Sequence, residues 1–244
     1  VAVNFTDKRA LLAGAVDEGV IAVGQALHAA GARLTVEGDS PLWGDVPREI
    51  ITLDAGDPVA IGAQIAGLGA LDILLFHAGW RRHAAFLDHT PGDWEAALTA
   101  NFERPVYIAQ SVAKTMIARG TDGRILFLSS IEGLMPFAGT AATGTTLTML
   151  AALARMMAVD LAPHGITVNV LAAGWVQDAH YTSLPNAAQQ HIVKGIPLGR
   201  LGGSTEVGAV AAFLASDLAA YISGAILPVD GGYSLTRAPC QTMF

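Results

Sequence analysis

Cysteine is almost missing from this chain: there is one, Cys240, among 244 residues. No intrachain disulfide is possible, and a reducing compartment is expected. Charge is sparse as well, at 14% of residues, with 14 Lys and Arg against 21 Asp and Glu. No basic stripe is present, so a nucleic-acid partner is not expected. Apolar runs are interrupted before membrane-spanning length, as at Arg155 and Asp217, and no membrane partner is expected. The chain opens directly into Thr6–Gly14, which leaves no room for a secretory leader in the sequence as given. The expectation is a soluble cytoplasmic protein. Repeats, linkers, a P-loop and a G-x-S-x-G nucleophile elbow are also lacking. Seven histidines are scattered and none forms a recognisable metal-ligand constellation with a second His or Cys; His77, His83 and His89 lie six apart, not a useful ligand spacing on a single helix or strand, so no metal site is expected.

What is present reads as one α/β domain over residues 1–244. Short apolar runs without polar alternation predict strands near Arg9–Ala13, Arg33–Val36, Ile50–Leu53, Asp72–Phe76, Arg124–Leu128, Thr167–Leu171 and Ala225–Val229. Such runs fit parallel strands buried on both faces. Helical patterns alternate with them, which predicts a Rossmann-type, doubly wound parallel sheet of about seven strands flanked by helices.

Several motifs follow one another in order. LLAG spans Leu11–Gly14, LDAGD Leu53–Asp57 and DILLFHAG Asp72–Gly79. Asn101, Ser130 and GITVNVLAAG (Gly165–Gly174) come next, then the long segment Ile196–Gly232. Each is weak alone. Together, and in register over nearly the whole chain, they resemble the short-chain dehydrogenase/reductase (SDR) family.

That resemblance makes two positions conspicuous. In the family, the strand-end Ser is followed thirteen residues later by Tyr and four residues further by Lys; here those positions hold Thr143 and Leu147. The phenol exchanges a proton with the substrate oxygen, and the lysine cation lowers its pKa. Threonine is a far weaker acid on a shorter side chain, and leucine carries no charge. Asn101, Ser130 and Thr143 therefore stand as remnant catalytic positions. Asn101 and Ser130 can equally be a helix-interior hydrogen bond and a strand-end turn. His180 and Tyr181, in the segment Trp175–Lys194 that corresponds to the family's substrate loop, are candidates for a relocated proton donor.

The cofactor turn departs from the family too. A glycine-rich turn lets backbone approach a diphosphate at a helix N-terminus. Only Gly14 matches the family's TGxxxGxG; Glu18 and Val20 hold the other two glycine positions. Asp17 and Glu18 add negative charge where a diphosphate would lie, although Asp17 can simply cap the next helix. The remaining cofactor candidates implied by the resemblance are Glu37, Asp54, Ala78 and Gly79. An acid at Glu37 favours NAD over NADP, so the expectation is no dinucleotide, or weak NAD. In FHAG, Phe76 and His77 replace two asparagines, and His77 reads first as a packed strand-end residue.

The helix predicted over Thr145–Ala162 is apolar almost all round, with Arg155 and Asp160 its charges. Family members pair this helix with a second subunit, so the partners expected are another copy of the chain, or an active SDR relative, through helices around 92–118 and 145–162. The apolar tail Ala238–Phe244 can add contacts. Three functions follow. The first is a catalytically degenerate subunit, structural or regulatory, in a homo- or hetero-oligomeric oxidoreductase assembly, without hydride transfer of its own. The second is cofactor-independent chemistry of a lyase, isomerase or dehalogenase kind. The third is an NAD-dependent oxidoreductase with a relocated proton donor.

Overall fold

The computed structural model describes residues 3–54 and 57–236. Parts of two expectations, the middle of LDAGD and the apolar tail, lie outside those residues. Strands β1 (Arg9–Gly14), β2 (Arg33–Glu37), β3 (Glu49–Ile51), β4 (Ile73–His77), β5 (Arg124–Ser130), β6 (Thr167–Ala173) and β7 (Ile226–Val229) form one sheet in the order β3-β2-β1-β4-β5-β6-β7. Every neighbouring pair is parallel. The α-helices are α1 (Glu18–Ala29), α2 (Pro58–Gly67), α3 (Pro91–Leu98), α4 (Arg104–Arg119), α5 (Ala141–Leu161), α6 (Ala179–Ser183), α7 (Asn186–Gly195) and α8 (Ser204–Ala215).

Burial on both faces explains the unbroken apolar strands. Leu11, Leu74, Phe76, Phe127 and Val168 join one core with residues of α2, α4 and α5. Their strand neighbours Leu12, Leu75, Leu126 and Leu171 join a second core with α1 and α8. A smaller cluster of Ile131, Tyr181, Ile192, Ile196 and Tyr233 packs α6 and α7 over the C-terminal ends of β5 and β6.

Helix starts follow local chemistry. Asp17 accepts the Val20 N–H to cap α1. Asp57 caps α2, with Pro58 in its first turn. Thr90 and Asp93 form a reciprocal capping box on α3. Between α3 and α4 the chain makes a π-helical turn over Thr99–Glu103, a wide turn often found near functional sites.

Most strand ends differ from the sequence expectation by one or two residues, and two differences stand out. β3 starts one residue early and stops at Ile51. α5 begins at Ala141 instead of Thr145, because its small first turn slips under the turn after β5: a Cβ on Gly144 would lie 2.9 Å from the Glu132 carbonyl oxygen. The stretch Ala141–His164 is long and apolar enough to cross a membrane by length and composition alone. Here the face carrying Leu147, Leu150 and Ala154 packs on the sheet, while Met156 (63% exposed) and Val159 (72%) face outward.

Candidate active site

The sheet order reverses between β1 and β4, and ligands of open α/β sheets bind at the C-terminal ends of strands beside such a reversal. At this point the Ala15 N–H donates to the His77 carbonyl oxygen at 3.0 Å. Gly14, at φ +93°, is so near β4 that a Cβ would collide with the same oxygen. A Cβ on Gly79 would stand 2.5 Å from that of Ala15. Glycine is required at Gly14 by the β4 backbone and at Gly79 by the Ala15 and His77 side chains.

His77 closes the floor of this crevice. Its Nδ1 lies 3.0 Å from the Ala15 carbonyl, which can only accept, so Nδ1 carries the proton. Its Nε2 faces Asp17 at 3.6 Å. Burial pushes the imidazole pKa below 6.5, more than the Asp17 carboxylate restores it. The folded state therefore favours the neutral ring. Its contribution to stability is complete above pH 6.5 and is lost as pH falls from there through the lowered folded value. Urea midpoints measured across this range should fall toward acid, and His77→Gln should flatten the slope. An unchanged slope would mean another group governs it.

The wall opposite is built from later segments. Ser130 ends β5, and its Oγ accepts the Glu132 N–H at 3.3 Å. Trp175 follows β6, and Asp178 caps α6 through the Tyr181 N–H at 2.7 Å, which fixes His180 in the first turn. The His180 ring stacks between Trp175 and His83, each at 6.2 Å between centroids. Glu132 lies beneath, 3.9 Å from His83 Nε2 and 3.8 Å from Arg81 Nε. His77, Arg81, Ser130, Glu132, Trp175 and His180 all line one narrow cavity of about 50 Å³. Partial burial, then the nearby Arg81 cation, lowers the His180 pKa below 6.5, against the smaller opposing pull of Asp178. A mostly neutral imidazole at neutral pH can accept a proton.

The remnant positions are placed differently. Asn101 is buried in the π-helical turn; its Oδ1 accepts from Trp80 N–H, and its Nδ2 donates to the Trp80 carbonyl and to Thr146 Oγ1. Thr143 is buried, and its Oγ1 accepts the Arg82 N–H at 3.2 Å. Leu147 sits in the core. Of the three remnant side chains, only Ser130 lines the crevice. Tyr181 is buried in the cluster under α7, with its hydroxyl donating to the Gln189 carbonyl. The relocated-donor expectation thus narrows to His180.

The other end of the crevice tests the fit of a dinucleotide. The turn keeps the close backbone approach at Gly14 and the tight side-chain contact at Gly79. The first-turn amides of Glu18 and Gly19 meet no acceptor among the described residues, although Asp17 takes that of Val20. The shape fits, while the Asp17 carboxylate at the helix start opposes a diphosphate. Glu18 accepts the Ala179 N–H at 3.3 Å and so ties α1 to α6. Asp17→Ser keeps a capping oxygen and removes the charge. It should tighten NADH or NADPH binding by about tenfold, read by nucleotide fluorescence titration. No change would mean that the carboxylate lies outside the phosphate position.

Glu37 does not stand as a free acid. Its Oε2 accepts the Gly14 N–H at 2.9 Å, and its Oε1 pairs with Arg104 at the start of α4. Asp39 pairs with Arg48 at 3.0 Å. Both acids that would repel the extra phosphate of NADP are neutralised by arginines, which removes the physical ground for preferring NAD. Ala78 is buried and donates its N–H to the Leu128 carbonyl, a sheet-end contact. Asp54 lies exposed in the loop after β3, with its backbone N–H bonded to Gln64.

Three crevice or cofactor-end residues escaped the sequence reading: Arg81, Glu132 and Arg104. Glu132 is the one charge within the apolar run after Ser130, which is a usable signal. Arg104 pairs with a residue 67 positions away, and no local pattern reveals that.

Comparison with known proteins follows the same line. Residues 21–234 match the family model described as Enoyl-(Acyl carrier protein) reductase. The chain is 31% identical over 240 residues to the 3-oxoacyl acyl-carrier-protein reductase FabG of Escherichia coli strain K12, covering 94% of this chain and 98% of that one. It is 31% identical over 254 residues to oxidoreductase UcpA of the same strain, covering 95% and 96%. A gluconate 5-dehydrogenase of Burkholderia cenocepacia, solved with NADP and tartrate, superposes with a TM-score of 0.87 at 26% identity, over 96% of this chain and 98% of that one. Two expectations are corrected by these likenesses. Relatives that span almost the whole chain are named as oxidoreductases, which overturns the degenerate subunit without hydride transfer. A neighbour holding NADP, together with the neutralised Glu37, removes the support for no dinucleotide or for NAD in preference to NADP. With its sheet order, its glycine turn and nearly its full length matched, the chain belongs to the short-chain dehydrogenase/reductase family.

Proposed function

We propose that the chain is a nicotinamide-dinucleotide-linked oxidoreductase acting at an alcohol or ketone, in which His180 moves the proton that a tyrosine moves elsewhere in the family. The observation that carries this reading is the half-buried His180, stacked between Trp175 and His83 in the same cavity as Ser130. A bound dinucleotide would supply the two-electron chemistry. The chain's own residues do the rest. The Ser130 hydroxyl, whose oxygen already accepts from Glu132 N–H, has its own proton free to donate to the substrate oxygen. The neutral imidazole of His180 takes the alcohol proton during oxidation, and its protonated form returns it during reduction. Trp175 fixes the ring plane and keeps water from one face.

Gly14, Gly79 and the first-turn amides of α1 are the groups that would hold the dinucleotide. The Glu37–Arg104 and Asp39–Arg48 pairs leave no net charge against a 2′-phosphate, so NADP is accepted as readily as NAD. The outward faces of α4 and α5, with Ile117, Met156 and Val159, are proposed to meet a second copy of the chain.

Calorimetric titration with NADPH and NADH, followed by turnover on short alcohols and their ketones, tests the reading. Micromolar to millimolar binding of both dinucleotides, with turnover, supports it. Absence of binding at millimolar dinucleotide would transfer His180 and Glu132 to a non-redox proton transfer, the lyase or isomerase alternative.

A further inference from the structure

We propose that the crevice selects a cationic substrate, a short amino alcohol or the matching amino ketone, whose ammonium is held by Glu132 while its oxygen faces Ser130 and His180. The role of the oxygen rests on the oxidoreductase reading above; the ammonium site rests on Glu132.

Glu132 sits on the short 3-10 turn Ile131–Gly133 immediately after β5. Its side chain is only 12% exposed. Among the described residues none supplies a hydrogen-bond donor to its Oε2. The nearest cation, Arg81 Nε, stands 3.8 Å from that oxygen, and His83 Nε2 stands 3.9 Å from the other. Both distances exceed a hydrogen bond. A carboxyl oxygen at this depth without a partner is costly, and native structures usually satisfy such a group with a ligand or a water. The Glu132 side chain lines the same cavity as Ser130 and His180, so a donor arriving with the substrate can reach it.

The charge of the cavity points the same way. Among the described residues, Asp17, Glu132 and Asp178 line it, against a single guanidinium, Arg81. Burial holds His77 and His180 toward their neutral forms, so neither offsets the excess. A carboxylate substrate would enter against this field, and an ammonium would enter with it. The cavity is narrow and walled by Phe137 and Trp175, which favours a short carbon skeleton carrying both groups.

The probes are 1-amino-2-propanol and 1,2-propanediol, which share a skeleton and differ in ammonium against hydroxyl. Calorimetry on the full chain at neutral pH should show the amine binding about tenfold tighter than the diol. Glu132→Gln should bring the two affinities within about twofold, whereas Glu132→Asp, which keeps the charge, should retain part of the preference. Equal or tighter binding of the diol by the unaltered chain, or an undiminished preference in Glu132→Gln, overturns the proposal. Should Glu132→Gln fail to fold by circular dichroism, the ratio in the unaltered chain decides. A binding preference for the amine without turnover of either probe in the presence of NAD or NADP in its oxidised form would sink the oxidoreductase reading and leave the ammonium site standing. Turnover of both probes without any preference would do the reverse.

Discussion

His180→Gln should lower kcat for alcohol oxidation by about a hundred- to ten-thousand-fold, the range of a lost general acid or base. Glutamine is polar but neither gains nor loses a proton near neutral pH. KM should change far less, because Ser130, Glu132 and Trp175 still line the cavity. The pH profile adds a signature that a packing role would not produce. Burial and Arg81 hold the His180 pKa below 6.5, so the base form dominates at neutral pH. Oxidation should therefore stay level above pH 6.5 and fall as pH drops through the lowered pKa; reduction should rise over the same interval. In His180→Gln that limb should vanish. Tyr181→Phe is the control. Its hydroxyl is buried on the Gln189 carbonyl, away from the cavity lining, and its removal should cost about 1 kcal/mol of stability with kcat nearly intact. A large kcat loss in Tyr181→Phe, with His180→Gln active, would exchange the two roles.

The second large effect concerns stability. Leu147→Lys, which restores the family's cation at its expected position, should destabilise the fold by about 3–5 kcal/mol, as an unpaired buried charge does. Leu147 is 1% exposed in the core that α5 shares with the sheet, and a Cβ on Gly133 would already be 2.9 Å from its own Cβ. Thr143→Tyr should add about 1–3 kcal/mol of overpacking and displace the oxygen that accepts the Arg82 N–H. A typical domain has only about 5–15 kcal/mol of stability, so the double exchange consumes much of it. Urea unfolding of the three variants measures this directly. A folded double variant with gained reductase activity would instead mean that the introduced lysine escapes the core and reaches the crevice.

The two positions show why residue type alone misled at the site. The loss of Tyr and Lys is plain in the sequence, and from it a chain without chemistry of its own was the natural expectation. The structure shows Thr143 and Leu147 buried and Asn101 occupied by Trp80 and Thr146. The polar side chains that line the crevice are instead Ser130, Glu132 and His180 among others. Glu37 misled in the same way. At a strand end it resembles a ribose-binding acid, yet Arg104 neutralises it.

The strands, their parallel pairing and the capping of α1 by Asp17 were legible because each depends on short-range pattern: apolar runs and a cap three residues before its amide. Pairs remote in sequence were not. Glu37 meets Arg104 across 67 positions and Ala179 reaches Glu18 across 161, while His83 stacks on His180 from a different crossover. The amino-acid order by itself determined the sheet and the turn between β1 and α1, since burial periodicity and backbone sterics act locally. Which acids are neutralised, which histidine enters the crevice and which carboxylate oxygen is left without a donor were decided only when the sheet brought its strand ends together, because electrostatic and hydrogen-bond partners are set by distance in space.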